Sequence, residues 1–134
     1  MNQHPHQLAA AGVAFLGAAQ AFPIPLAQLD FAGAFNVFNI DHGDSPQALL
    51  VMAAVGGVLT SVVIVVAFVG AILLFAGSDH GRPVLIGAAV AGLATAFPFW
   101  IPTAVILGVA VLIASRAPRS TTAPWATYGA SARV

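Results

Sequence analysis

Phe97-Pro98-Phe99-Trp100-Ile101-Pro102 stands in the middle of a 33-residue stretch, Pro83 to Ser115, that carries no ionisable side chain. As one straight α-helix that stretch would be about 50 Å long at roughly 1.5 Å per residue. A bilayer hydrocarbon core is only roughly 30 Å thick. Pro98 and Pro102 each remove a backbone donor and clash with the preceding turn. Trp and Phe favour the membrane–water boundary. The hexapeptide therefore reads as the tip of a tight helical hairpin, with one helix over 83–98 and the next over 102–116. Each arm is short for a span, so local thinning or anchoring by Trp100 and Phe97 must absorb the mismatch. The alternative is one proline-kinked helix over 83–116.

Working outward, Ser45 to Ser78 is a second stretch without an ionisable group, 34 residues long. Ser45 is a cap residue and Pro46 suits a first helical position, so a helix over 46–76 is expected. A third candidate, 8–26, is mostly Ala and Gly and ends near Pro23. The reading is thus all-α: an integral membrane bundle of four transmembrane helices in two hairpins, occupying 1–116, with an outer loop over 27–45. The tail 117–134 is rich in Ser, Thr, Ala and Pro and is expected to be a disordered cytoplasmic segment.

Composition agrees with a lipid-dissolved chain. The protein is 60% hydrophobic and 6% charged, with four Arg, four Asp and no Lys, Glu or Cys. Average soluble domains are about 25% charged. A soluble enzyme, a nucleic-acid binder, a disulfide scaffold and a zinc module are set aside on these numbers. Ala19-Gln20-Ala21 also fits a cleavage site after Ala21, but Met1 to Gln7 lacks the basic residues of a signal peptide.

Charge placement sets the orientation. With four spans and a cytoplasmic N-terminus, Arg82, Arg116, Arg119 and Arg133 all lie inside, and Asp30, Asp41 and Asp44 lie outside. That is the positive-inside bias without exception. Both termini are expected in the cytoplasm, and the location is the cell membrane, crossed several times.

Small residues recur every fourth position. Ala10, Ala14 and Ala18 do so on the first helix, Ala53, Gly57 and Ser61 on the second, and Ala88, Gly92 and Ala96 on the third. Such ridges let backbones approach closely in lipid, where packing holds helices together. Within loop 27–45, Phe31, Phe35 and Phe38 form one helical stripe. They, with Phe97, Trp100, Arg82, Arg116 and Arg119, are the expected interface anchors. A faint echo relates Ala18–Pro23 to Leu93–Pro98, most simply a chance likeness of Ala-rich helices ending in Phe-Pro.

Catalytic, cofactor and metal sites are not expected. The polar side chains singled out within the spans are Gln20, Thr60, Ser61, Thr95 and Thr103, with no His, Asp, Glu or Lys near them in sequence to activate a hydroxyl. The Asp41-His42-Gly43 and Asp79-His80-Gly81 triplets fall on opposite membrane faces in this topology and cannot share an ion. Gln20 is the intramembrane residue that this reading singles out for mutation. The expected role is a non-catalytic accessory or scaffold subunit of a larger membrane complex. Its partners are the bilayer and other membrane subunits or further copies of the chain, and no nucleic acid is expected. The alternatives are a small transporter or lipid-handling protein with an uncharged path, and an envelope sensor working through loop 27–45. The hydropathy plan of 8–116, with Arg used without Lys, resembles small four-helix membrane proteins of high-GC bacteria, the actinobacteria above all. That resemblance implies a membrane bundle and carries no functional residue.

Overall fold

The computed structural model describes residues 5–38 and 46–116. They form α1 (Pro5–Gln20), α2 (Ile24–Phe38), α3 (Pro46–Phe75), α4 (Gly81–Ala96) and α5 (Ile101–Ser115), with no strand among the described residues. Two helical stretches, Pro5–Ala34 and Gln47–Phe75, are long and apolar enough to cross a membrane, whereas α4 and α5 are shorter apolar helices. The expected tail 117–134, with Arg119 and Arg133, lies outside the described residues. So do Asp41, His42 and Asp44.

Two expectations are corrected: the helix expected over 8–26 ends at Gln20, and part of the expected outer loop is helical. Residues 27–38 belong to α2 rather than to a loop. Phe22-Pro23-Ile24-Pro25 explains the outcome. Pro23 stops α1 after Gln20, and Pro25 lies in the first turn of the next helix, where a missing N–H costs nothing. Turn-type bonds bridge the break: Ala21 N–H donates to Ala18 O (3.2 Å), Ile24 N–H to Ala21 O (3.0 Å) and Ala27 N–H to Pro23 O (3.0 Å).

The 30 residues of α3 form the spine. It packs against α1, α2 and α4, and α5 packs against α1 and α4. The broken α1–α2 rod runs antiparallel to α3. A Cβ on Gly77 would lie 3.7 Å from Gln7 Oε1, and one on Gly57 would lie 3.7 Å from Pro25 O. Gly77 has φ +76°, the left-handed cap that ends α3. Ser78 N–H donates to Leu73 O (2.8 Å) and Gly77 N–H to Leu74 O (3.0 Å), which satisfies carbonyls the helix itself cannot.

The chain reverses between α4 and α5 at residues 97–100. Arg82, in the first turn of α4, donates through its guanidinium to Ala114 O at the last turn of α5. A cation on a helix C-terminus is favourable twice over, through the dipole and through the orphan carbonyl it satisfies. This end of the molecule therefore gathers the start of α1, the end of α3 and both ends of the α4–α5 pair.

The core is built from small side chains. Ala10, Ala14 and Ala18 of α1, Ala67 and Ala71 of α3, Ala88 and Ala96 of α4, and Ala110 and Ala114 of α5 are buried. Between them sit Leu85, Leu107 and Trp100. Phe15 meets Phe68 with ring centroids 6.1 Å apart. Large apolar side chains point outward instead, among them Val51, Val55, Val58, Val62, Val65 and Val69 of α3. That inversion suits lipid, which is as apolar as the side chains facing it, so close packing takes the place of water expulsion.

Gly81 marks a close approach of α4 to α3. An added Cβ would lie 2.8 Å from Leu74 N and 2.9 Å from Gly70 O, both backbone atoms that cannot swing away. At Gly87 it would meet nothing within 4 Å. Gly81→Ala is expected to cost about 1–3 kcal/mol by overpacking. Gly87→Ala should be neutral or gain up to about 1 kcal/mol of helix propensity. Unfolding of the two variants in the same detergent checks the ordering.

Candidate functional site

The two arms of the reversing pair are short, and that shortness makes a site. A Cβ on Gly56 would lie 3.8 Å from Thr95 O, so the end of α4 meets α3 ten residues short of the start of α3 at Pro46. Those residues amount to about 15 Å of helix, and α2 lies alongside them. The step between the long pair and the short pair is a notch of about 560 Å³. α2 contributes Gln28, Phe31 and Ala32, and α3 contributes Leu49, Met52, Ala53 and Gly56. Thr95 and the turn Phe97-Pro98-Phe99 close the floor. Phe31 and Phe99 meet edge to face across it, centroids 5.8 Å apart.

A single polar knot sits in this wall. Gln28 Nε2 donates to Thr95 O at 3.1 Å. Thr60 Oγ1 lies 3.2 Å from Gln28 Oε1 and 2.8 Å from Gly56 O. Thr60 is fully buried. Thr95 returns its own hydroxyl to Ala91 O at 3.0 Å. The knot has a structural cause. The last carbonyls of a helix have no intrahelical donor, and Pro98 has no N–H to offer. Trp100 N–H serves Ala96 O at 3.1 Å, and the Gln28 side chain serves Thr95 O.

Trp100 lies behind the turn and is 0% exposed. Its indole fills the place a side chain at Gly92 would occupy: a Cβ there would fall 1.9 Å from Trp100 Cε2. Trp100 Nε1 is buried without a hydrogen-bond partner. The expectation that Trp100 anchors the chain at the lipid boundary is therefore replaced: no part of the ring is available to headgroups. Close approach of α4 and α5 over Gly92 favours the buried position.

The other expected residues fall as follows. Ala10, Ala14, Ala18, Gly57, Ala88, Gly92 and Ala96 are buried, and Ala53 is half-buried in the notch wall. Ser61 is exposed and bonds its own Gly57 O at 2.8 Å, so it lies off the helix seam, and its neighbour Thr60 turns inward instead. Phe31 lies exposed at the notch rim, and Phe97 is also exposed. The side chains of Phe35 and Phe38 lie outside the described residues. Arg82 is held on Ala114 O, and Arg116 is exposed at the end of α5. Gln20 is exposed, away from the knot.

Gln28 is the residue that sequence reasoning missed, because it stood in a presumed loop. The signal was the spacing Pro23-x-Pro25, in which the first proline ends a helix and the second begins one. Chemically, the notch can hold an apolar body and offer it one amide and hydroxyl group. Among the described residues no three His, Cys, Asp or Glu side chains gather. Comparison with protein-family models, with curated proteins and with solved structures returns no match.

Proposed function

We propose that the chain is a non-catalytic, multi-pass membrane protein of the lipid-handling kind, which holds an apolar molecule in the notch between its long and short helix pairs. It crosses the bilayer four times with both termini in the cytoplasm. Support for the topology comes from the two long apolar stretches and from Arg82 and Arg116, which share one end of the bundle. A helix of 30 residues such as α3 is accommodated by tilt, and the 16 and 15 residues of α4 and α5 by local thinning.

One observation carries the ligand-holding reading. The notch has the volume of an ordinary small-molecule site, roughly 300–1,000 Å³, with aromatic, Leu and Met walls and one polar group. Chemical transformation is left out of the proposal, since the hydroxyls of Thr60 and Thr95 are engaged with backbone carbonyls and no base among the described residues is bonded to them. Purification in lipid nanodiscs followed by mass spectrometry of retained lipid tests it. Wild-type protein should retain a lipid class above its bulk share, and Ala53→Trp, which fills the notch, should release it. Equal lipid profiles for the two proteins would contradict the reading.

A second reading, an accessory subunit or a self-associating scaffold, is favoured by the outward valine ridge of α3 from Val51 to Val69. Stoichiometric recovery of another membrane protein, lost when Val58 and Val62 are replaced by larger residues, would support it.

A further inference from the structure

The two halves of the broken α1–α2 rod are held very differently. α1 packs against both α3 and α5 and buries Ala10, Ala11, Ala14, Gly17 and Ala18. α2 packs along α3, and of its side chains over 24–34 only Ile24 and Ala32 are buried. Two glycines of α3 face it. A Cβ on Gly57 would lie 3.7 Å from Pro25 O, and one on Gly56 would lie 3.9 Å from Gln28 Nε2. This stretch of α3 gives α2 a smooth wall, with no side-chain ridge to interlock with. The joint between the halves is weak as well. Pro23 and Pro25 have no N–H to give. Among the described backbone bonds, Ile24 N–H to Ala21 O (3.0 Å) is the one that bridges the Phe22–Pro23 link, where an unbroken α-helix has several.

What ties α2 to the short pair lies at the notch. Gln28 Nε2 donates to Thr95 O at 3.1 Å, and the Phe31 and Phe99 rings meet with centroids 5.8 Å apart. Both ties can be released. Thr60 keeps Gly56 O as its acceptor at 2.8 Å when Gln28 leaves, so the cost of release falls on Thr95 O and the Gln28 amide. Interhelical hydrogen bonds of this kind are individually weak in a membrane. Leverage favours release too. Phe31 stands about 12 Å along the helix from Pro23, so an outward swing of about 15° moves its ring by about 3 Å. That takes the ring pair past the roughly 7 Å separation at which such contacts are made.

We infer that α2 is a hinged gate on the notch: it pivots at Phe22–Pro23, and the Gln28–Thr95 hydrogen bond and the Phe31–Phe99 ring contact latch it shut. This rests on the ligand-holding reading above and adds how the site opens. Phe31 and Phe99 meet across the notch, so a hydrocarbon body lying along its length parts them. Such an occupant binds the open state better and shifts the population toward it. Leu26 and Leu29 are exposed on the outer side of α2, so the gate swings sideways into lipid. α1 stays in place through its seam with α5.

Spin-label distances on the full chain in nanodiscs test the gate. Asp30→Cys with Leu112→Cys places labels on exposed positions of α2 and α5. Leu8→Cys with Ile101→Cys does so for α1 and α5 and is the fixed reference. The α2 pair should show two populations, and the α1 pair one narrow population. Gln28→Leu should raise the ratio of open to closed about five- to tenfold, the worth of one net hydrogen bond. Phe99→Leu, which removes the ring contact and leaves the hydrogen bond, should move the ratio the same way. Pro23→Ala, which restores an N–H to the joint, should lower it. Added hexadecane should raise it in the wild type. One narrow population for the α2 pair, unmoved by Gln28→Leu, Phe99→Leu and hexadecane, would overturn the inference. So would equal broadening of the α1 pair, which would mean a loose bundle and no hinge. Photolabelling with a diazirine-bearing alkane separates the gate from the reading it rests on. Adducts on the peptides holding Leu49 and Met52 beside a rigid α2 would leave the ligand-holding reading standing without a gate. Absence of those adducts would remove both.

Discussion

Gly92→Ala is expected to unseat Trp100 and to cost about 3–5 kcal/mol, the range for losing a buried aromatic side chain outright. Ordinary overpacking costs about 1–3 kcal/mol because flexible neighbours shift aside. Here the neighbour is a rigid indole. The new Cβ would lie 1.9 Å from Cε2, 2.1 Å from Nε1 and 2.3 Å from Cδ2. Trp100 is fully buried, and Pro98 and Pro102 flank it on the chain, so small rotations do not relieve the overlap. Either the ring leaves or α4 and α5 separate. The Nε1 atom forms no hydrogen bond, so what is lost is packing, and Trp100→Leu alone should cost less than Gly92→Ala. The pair should couple: adding Trp100→Leu to Gly92→Ala should restore part of the stability, by an interaction energy of about 1–3 kcal/mol. Unfolding in detergent measures this, and Trp125→Phe leaves Trp100 as the sole tryptophan for an emission readout. Unchanged stability and emission in Gly92→Ala would show that the ring is not seated there.

Gln28→Leu is expected to cost about 1–2 kcal/mol, the penalty for leaving a part-buried acceptor without its donor. The substitution is close in size and more apolar, so a simple count of hydrophobic area would predict a gain. The loss comes from Thr95 O, which sits at the end of α4 and takes its hydrogen bond from Gln28 Nε2. Gln20→Leu is the matched control. Gln20 is exposed and away from the knot, so its replacement should change stability by less than about 0.5 kcal/mol. Thermal unfolding of both variants, side by side, should rank Gln28 well below Gln20. The reverse ranking would mean that the knot does not hold α2 to α4.

The helices over 46–76, 83–98 and 102–116 were legible because apolar runs and prolines are local signals. Their observed bounds, Pro46–Phe75, Gly81–Ala96 and Ile101–Ser115, differ by a residue or two at most ends. α2 was not legible in the same way. The Phe31–Phe35–Phe38 spacing reads as one helical stripe, yet a first helix drawn over 8–26, through Pro23 and Pro25, leaves 27–45 as the outer loop. The site was harder still. Its notch exists because α4 stops opposite Gly56, and where two helices of different length end relative to each other is a tertiary fact. Trp100 shows the same limit. Beside two prolines and two phenylalanines, a Trp reads as a boundary residue, and only the contact with Gly92 turns it inward. The small-residue ridges named the close approaches of α1 and α4, yet the every-fourth spacing on α3 pointed to Ser61 where Thr60 faces the interior.

Cysteine accessibility tests the account at its base. The chain has no native Cys, so single replacements report cleanly. Asp79→Cys and Arg116→Cys should react with a membrane-impermeant thiol reagent from the cytoplasmic side only. Asn39→Cys, in the segment joining α2 to α3, should react from the opposite side only. Labelling of positions 79 and 116 from different sides, or of 39 and 79 from the same side, would contradict a bundle whose long pair and short pair both return to the face they started from.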